Sequence, residues 1–256
     1  MKQHIRISIL MATYNAAAQL ERTLRSVERQ CYPHWEIIVQ DGGSTDGTLE
    51  ILESHRASVS WVSEPDRGIY DAWNKAVARA SGDWALFLGA DDFLMNDNVL
   101  AQCVHFLRKL DDDIIFAYGV LLMGANGNVS GILNRSRHEV FSLFISDMGL
   151  PFPATFIRMD FLKSHPFDRI YKIAGDFAFC AEHIRLDNLA RLPVCVSFFE
   201  LSGVSSSENS RKQLLRERLR ILKTKVEPRI EEFTVALMGT AESSEQEHEF
   251  INRNCN

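Results

Sequence analysis

Residues 35–48 read Trp35-Glu36-Ile37-Ile38-Val39-Gln40-Asp41-Gly42-Gly43-Ser44-Thr45-Asp46-Gly47-Thr48, and the chain then continues from Leu49 to His55. Trp35 to Val39 is a short apolar run, bounded by Pro33 before it and by Asp41-Gly42-Gly43 after it. Such a run reads as a strand buried on both faces. Thr48 to His55 reads as a helix. A buried strand that turns through glycines into a helix is part of a βαβ unit.

The same alternation extends outward. Upstream, Ile5 to Met11 is apolar and β-branched. Ala16 to Gln30 carries Leu20, Leu24 and Val27 at helical spacing. Downstream come a third strand at Val59 to Val62, a helix at Tyr70 to Ala80 and a fourth strand at Trp84 to Leu88. The order predicts an α/β fold, a Rossmann-like and mostly parallel sheet flanked by helices. In open sheets of this kind ligands bind beyond the carboxyl ends of the strands. Polar clusters stand at those places: Thr13-Tyr14-Asn15, Asp41, Glu64-Pro65-Asp66-Arg67 and Asp91-Asp92.

The second half is less regular. Strands are expected at Ile114 to Tyr118, Ala154 to Arg158 and Val194 to Phe199. A hairpin is expected from Val120 to Leu133 around Ala125-Asn126-Gly127-Asn128. A helix is expected from Phe177, behind Gly175-Asp176. We expect one domain over 1–206, with a nucleotide-binding part to about 118 and an acceptor part after it. Residues 207–256 make a helical extension, whose polar, acidic end after Ala241 has the composition of a disordered tail.

Net charge is −6, which argues against nucleic acid as the main partner, because such binders carry a basic face. The five cysteines are scattered without a Cys-x-x-Cys pair, so reduced thiols in a cytoplasmic protein are expected. Residues 1–11 lack the long apolar stretch of a signal peptide, and without an apolar run of about 18 residues no transmembrane helix is expected. The basic residues from Arg211 to Arg229 could meet an anionic membrane surface peripherally, or form a solvated helix face.

Adjacent carboxylates such as Asp91-Asp92 repel each other at the end of an apolar strand, and a divalent cation relieves that repulsion. Mg²⁺ or Mn²⁺ held there would bridge to a diphosphate. The alternative is an acidic turn that caps a following helix. Asp41 could accept a hydrogen bond from a base N–H, with Gly42 and Gly43 allowing close backbone approach; an ordinary strand-to-helix turn is the alternative. The run is neither a Walker loop nor a dinucleotide fingerprint. Arg67 and Lys75 could meet phosphate charge.

Taken together, Ser8 to Asn15, Asp41 to Thr48, Glu64 to Lys75 and Gly89-Ala90-Asp91-Asp92 resemble the bacterial family 2 glycosyltransferases of GT-A fold. The segment Ser63-Glu64-Pro65-Asp66-Arg67-Gly68-Ile69-Tyr70-Asp71-Ala72 is most similar to enzymes of exopolysaccharide assembly, such as the colanic-acid type. The resemblance covers residues 5 to 205. It implies that Thr13 and Tyr14 line the nucleotide pocket, Asp41 contacts the base, and Asp66 and Arg67 border the donor site. Asn15, Gly43 and Lys75 complete the donor set. It further implies that Asp91 holds ribose or metal, Asp92 holds the metal, and Asp176 is the catalytic base.

The implied reaction is an inverting transfer from a nucleotide sugar, most commonly a UDP-sugar. The implied acceptor is a saccharide or polyprenyl-diphosphate-linked saccharide. Two positions depart from the family pattern: Gly89 stands where Asp or Asn is frequent, and Phe152 or Pro153 where a His is frequent. A sugar nucleotidyltransferase would show a glycine-rich, basic N-terminal loop, absent from Met11 to Asn15. A degenerate, binding-only relative is the non-enzymatic alternative.

Overall fold

Strand β1, Ile7–Thr13, is the axis of the structure, a computed structural model that describes residues 4–144, 148–201 and 208–235. Its side chains divide between two cores: Ile7, Ile9 and Met11 enter one apolar cluster and Leu10 the other. Successive strand residues point to opposite faces, so a strand apolar at both parities must be covered on both sides. β2 (Trp35–Asp41) repeats the pattern, with Ile37 and Val39 opposed to Ile38. β4 (Trp84–Phe87) sets Trp84 and Leu86 against Ala85 and Phe87. Helix α1 (Ala17–Glu28) covers one face with Leu20, Leu24 and Val27. Helix α3 (Ile69–Arg79) covers the other with Tyr70, Trp73 and Val77. α2 (Thr48–Ser54) and β3 (Val59–Ser63) complete this half.

The strands run in the order β3-β2-β1-β4, all parallel. Register decides where chemistry can gather. Thr13 lies opposite Asp41, and Asp41 opposite Ser63. Three strands therefore end level, and their loops emerge along one edge.

The chain continues through β5 (Phe93–Leu94), α4 (Val99–Leu107), β6 (Phe116–Ala125), β7 (Asn128–Leu133) and α5 (Arg137–Leu143). It then forms β8 (Thr155–Arg158), α6 (Met159–Ser164), α7 (Gly175–His183) and β9 (Leu189–Glu200). The sheet extends β4-β8-β6-β9-β5. β8 is antiparallel to β4 and β6, β5 to β9, and β7 to β6, while β6 and β9 are parallel. The expected parallel sheet is formed by the first four strands, and the second half adds antiparallel neighbours around the parallel β6–β9 pair. One physical reason is connection length. β7 returns through Asn126-Gly127, at φ 52° and 78°, a turn far too short for a parallel crossover.

The strands expected at Ile114 to Tyr118 and Val120 to Met123 are one strand, β6, running through Gly119. The pairing of β6 with β9 shifts on either side of Val120. There a Cβ on Gly119 would lie 2.4 Å from the Val194 carbonyl oxygen. The same irregularity accommodates Pro193, which cannot donate to a regular ladder, so β9 starts at Leu189 instead of Val194.

Helix α8 (Glu208–Ile221) and the helical turns that follow it to Val235 pack back on the domain. Ile221, Val226 and Phe233 are buried in the cluster that holds Phe141, Phe144 and Phe177. The basic stretch is therefore not one face. Lys225 pairs with Glu182, and Arg229 donates to the carbonyls of Ala181 (2.5 Å) and Ile184 (2.7 Å) at the end of α7. The expected 206/207 boundary and the expected tail after Ala241 lie outside the described residues. Among the described residues, no helix is long and apolar enough to cross a membrane.

Candidate active site

Asp41 closes β2 with a fully buried side chain whose oxygens accept five hydrogen bonds. Oδ1 accepts from Thr13 Oγ1 (2.9 Å) and Ser44 Oγ (2.5 Å). Oδ2 accepts from the backbone N–H groups of Gly43 and Ser44 (both 2.9 Å) and from Ser63 Oγ (2.7 Å). Burial acts to raise its pKa, yet these donors prevail and hold the carboxyl below the usual range. The turn beneath it needs φ +89° at Gly43, a conformation that favours glycine.

Asn15, at φ 50°, ties the loop after β1 to the loop after β2. Its Oδ1 accepts from Thr45 N (2.9 Å), and its own N–H donates to Ser44 Oγ (2.8 Å). Asp46 accepts from Ala17 N and Thr48 N (both 3.1 Å), the first residues of α1 and α2. One carboxylate thus serves two helix N-termini, where partial positive charge gathers.

The loop after β3 joins this frame. Asp66 accepts from Gly68 N (2.8 Å). A Cβ on Gly42 would lie 2.8 Å from Asp66 Oδ2 and 3.5 Å from the Tyr14 ring. The Asp66 carboxylate and the exposed Tyr14 ring therefore close in on the bare backbone of Gly42, and a side chain there would displace one of them. Arg67 is exposed and makes no ion pair among the described residues. Lys75 is drawn elsewhere: its ammonium pairs with Glu64 (2.8 Å) and Asp71 (3.6 Å), and Glu64 above all raises its pKa.

Asp91 and Asp92 follow the end of β4. The next helix starts only at Val99, behind Asn98, so the helix-capping alternative for this pair does not apply. Asp92 is 2% exposed and accepts from Glu200 N (3.0 Å) and Gly89 N (3.1 Å). Burial, followed by the Asp91 charge, pushes its carboxyl up to about 7. Burial also raises Asp91, with Glu200 adding to the effect and Arg22 opposing it.

Both carboxylates converge on Gly89, where a Cβ would lie 2.7 Å from Asp92 Oδ2 and 2.9 Å from Asp91 Oδ1. The departure at position 89 thus has a structural consequence, because a larger residue would fill the cradle. No group of three or more acidic, histidine or cysteine side chains is placed to hold a metal among the described residues. A buried and a half-buried carboxylate facing one small space, with their charge incompletely neutralised, nonetheless fit a divalent cation completed by ligand oxygens.

Asp176 lies in the first turn of α7 and is not its N-cap, a position that Ala174 occupies. Its Oδ1 accepts from Phe177 N (2.9 Å) and lies 3.0 Å from the Tyr70 hydroxyl. That hydroxyl also reaches the Ile173 carbonyl (2.7 Å). Burial raises the Asp176 carboxyl, against the pull of both donors. Tyr70 opens α3 just beyond Asp66, so the second half of the chain delivers Asp176 to the same edge as the donor-side loops.

At the other departure, Phe152 is buried. It stacks on Trp73 and on Phe87, with ring centroids 5.5 Å apart in each case. The position is part of the core.

Three partners had no sequence signal. Arg22 donates to the Asp91 carbonyl (2.8 Å) and to Glu200 (3.3 Å), and Glu200 also accepts from Asn126 N (2.9 Å). Glu217, on α8, reaches the segment before α7. These residues are far apart in the chain, and only the completed sheet and the docked helix make them neighbours.

The family described as "Glycosyl transferase family 2" matches residues 8–170. A Mycobacterium bovis protein named "PGL/p-HBAD biosynthesis glycosyltransferase" is 29% identical over 208 residues, covering 78% of this chain and 79% of its own. A Mycobacterium tuberculosis protein, "Uncharacterized glycosyltransferase Rv1514c", is 40% identical over 204 residues, covering 78% and 77%. Among solved structures, Staphylococcus aureus TarS 1-349 in complex with UDP aligns with a TM-score of 0.62 and 23% identity. It covers 87% of this chain, which spans only 65% of the TarS chain. The mannosyltransferase PcManGT of Pyrobaculum calidifontis, in complex with GDP-Man and Mn²⁺, has a TM-score of 0.62 and 19% identity, covering 95% and 77%. At such identities the likeness establishes the fold, GT-A.

Proposed function

The chain belongs to glycosyltransferase family 2, and on that premise we propose that it transfers a sugar from a nucleoside-diphosphate sugar to an acceptor hydroxyl with inversion at the anomeric carbon. UDP is the first base to test. The acceptor is a saccharide or lipid-linked saccharide in cell-surface polysaccharide synthesis, met on the cytoplasmic side. The observation that carries this proposal is that the Asp41 loop frame and the Asp91–Asp92 pair follow neighbouring parallel strands, with the half-buried carboxylate of Asp176 tied to the start of α3 through Tyr70.

The base lies against Tyr14 and the Gly42 backbone, beside Asp66. Asp41 shapes that pocket by holding Thr13, Gly43 and Ser44. Asp91 and Asp92 would hold Mg²⁺ or Mn²⁺, which when bound supplies positive charge to the departing diphosphate. Arg67 adds a cation that makes no ion pair among the described residues, and is favoured over Lys75 for this role. Asp176 takes the proton from the acceptor hydroxyl; its raised pKa makes it a better base than an exposed carboxylate.

The test is thermal stability against UDP-, GDP-, dTDP- and CMP-sugars, with and without Mn²⁺ or Mg²⁺. A ligand that binds only the folded state raises the Tm. A shift confined to one base and enlarged by metal is the expected result. A well-folded sample that shifts with none of them would overturn the proposal.

One observation favours a peripheral membrane contact as well. The solvent side of α8 exposes Leu215 (60%) and Leu219 (59%) beside Arg211, Arg216, Arg220 and Lys223. Apolar side chains among cations suit an anionic lipid surface. Sedimentation with phosphatidylglycerol vesicles at low salt, lost at high salt, is expected; no binding at low salt would discard it.

A further inference from the structure

Helix α7 begins without a cap of its own. Ala174 occupies the cap position and offers no side-chain acceptor. The N–H groups around a helix start need partners, and a helix-start carboxylate meets favourable partial charge. Here the carboxylate arrives from the C-terminal extension. Glu217 Oε1 accepts from Lys172 N (2.8 Å), and Oε2 accepts from Ile173 N (3.0 Å) and Ala174 N (2.9 Å). Gln213, one turn earlier on α8, donates to the same Oε1 (3.0 Å) and fixes the acceptor in place.

The segment so held is also gripped from the donor side. Lys172 Nζ donates to the Arg67 carbonyl (2.5 Å), Arg169 pairs with Asp71 (3.2 Å), and Tyr70 reaches the Ile173 carbonyl (2.7 Å). Asp176 stands two residues beyond the last N–H that Glu217 accepts. Its reach is therefore set between α3 and α8.

We propose that Glu217 is a positioning residue for Asp176: from α8 it holds the three N–H groups of the segment that leads into α7, and this fixes where the base meets the acceptor hydroxyl. The proposal rests on Asp176 being the base. Three bonds on one carboxylate leave little freedom at 172–174. An error of about 1 Å at a reacting group can lower turnover about 100-fold.

The experiment compares Glu217→Ala, Glu217→Gln, Glu217→Asp and Asp176→Asn with the wild-type full chain. It reads kcat and KM for the donor, the nucleotide-induced Tm shift, and amide hydrogen exchange at 172–174. Glu217→Gln is the fallback should the alanine variant not fold, since its amide retains one acceptor oxygen. Glu217→Ala and Glu217→Gln are expected to lose about 10- to 100-fold in kcat. Their donor KM and nucleotide-induced shift should stay within about twofold, a split that general destabilisation does not produce. Exchange at 172–174 should accelerate, and Glu217→Asp should recover part of kcat.

If Asp176→Asn is inactive while both Glu217→Ala and Glu217→Gln keep wild-type kcat, the positioning role is overturned. It is equally overturned if turnover and donor binding fall together. If Asp176→Asn itself turns over normally, Asp176 is not the base and the proposal falls with that assignment.

Discussion

At position 92 a carboxylate is held away from water beside another carboxylate, and its protonation becomes a property of the fold. Its folded pKa, about 7, lies above the roughly 4 of an unfolded aspartate. Between those values the native state keeps a proton that the unfolded chain has lost. This group therefore adds stability as pH falls through that window and withdraws it as pH rises to about 7. A cation competes with the same proton, so Mn²⁺ should raise the Tm more at about pH 8 than at about pH 6. Asp92→Asn should flatten the pH dependence and abolish the Mn²⁺ gain. Calorimetry across that range reads both, and an unchanged Mn²⁺ effect in the variant would remove Asp92 from the metal set. The adjacent acids were visible in the sequence because they sit at a strand end. Arg22 and Glu200 were not, because nothing local in the chain marks residues that a sheet edge brings together.

Among the elements, α1 and α2 meet through His55. Its ring contacts Glu28 (2.7 Å) and Glu21 (2.9 Å) while its side chain is only 11% exposed. Burial opposes charge on the ring, but the two carboxylates prevail and raise its pKa. A raised histidine stabilises fully below its unfolded pKa of about 6.5, and the contribution fades as pH climbs through the folded value. His55→Gln should cost about 1 kcal/mol at about pH 6 and much less at about pH 9. Denaturant melts at the two pH values would show it, and an equal loss at both would rule out the ion pairs as the cause.

The first four strands and their helices were legible because each carries its own apolar period and ends at glycine or a polar cluster. Later elements lost that clarity for local reasons. Gly119 looked like a break and is a close crossing. Pro193 looked like a strand start and sits in an irregular pairing. α5 carries a capping box, Ser136 with Glu139, that the sequence displays but that its short apolar pattern does not advertise. Asp176 could be singled out only through family likeness, since alone it reads as an ordinary helix-start acid.

For the whole molecule, α8 and its continuation behave as a wall of the domain. Ile221, Val226 and Phe233 are at most 2% exposed, and Phe233 packs its ring 4.7 Å from that of Phe141. Burying three such side chains contributes about 5–9 kcal/mol, comparable with the roughly 5–15 kcal/mol that holds a domain together. A chain ended at residue 206 should accordingly be insoluble or lack a cooperative melt, as circular dichroism would report. A sharp melt near the full-length Tm would mean that the extension is dispensable.

The hydrogen bond from Glu200 to Asp92 spans 108 residues, and it carries an implication for synthesis. A ribosome that has released β1 to β4 has not yet made the strand that fixes the acidic pair. Contacts so distant in sequence form late, because the intervening loop must close first. The loops tied together through Asp41 and Asn15 can assemble while the protein is still being translated. The acidic pair has to wait for β9, so a nascent chain stalled before residue 200 would display the Asp41 loops complete and Asp92 without the backbone N–H that fixes it.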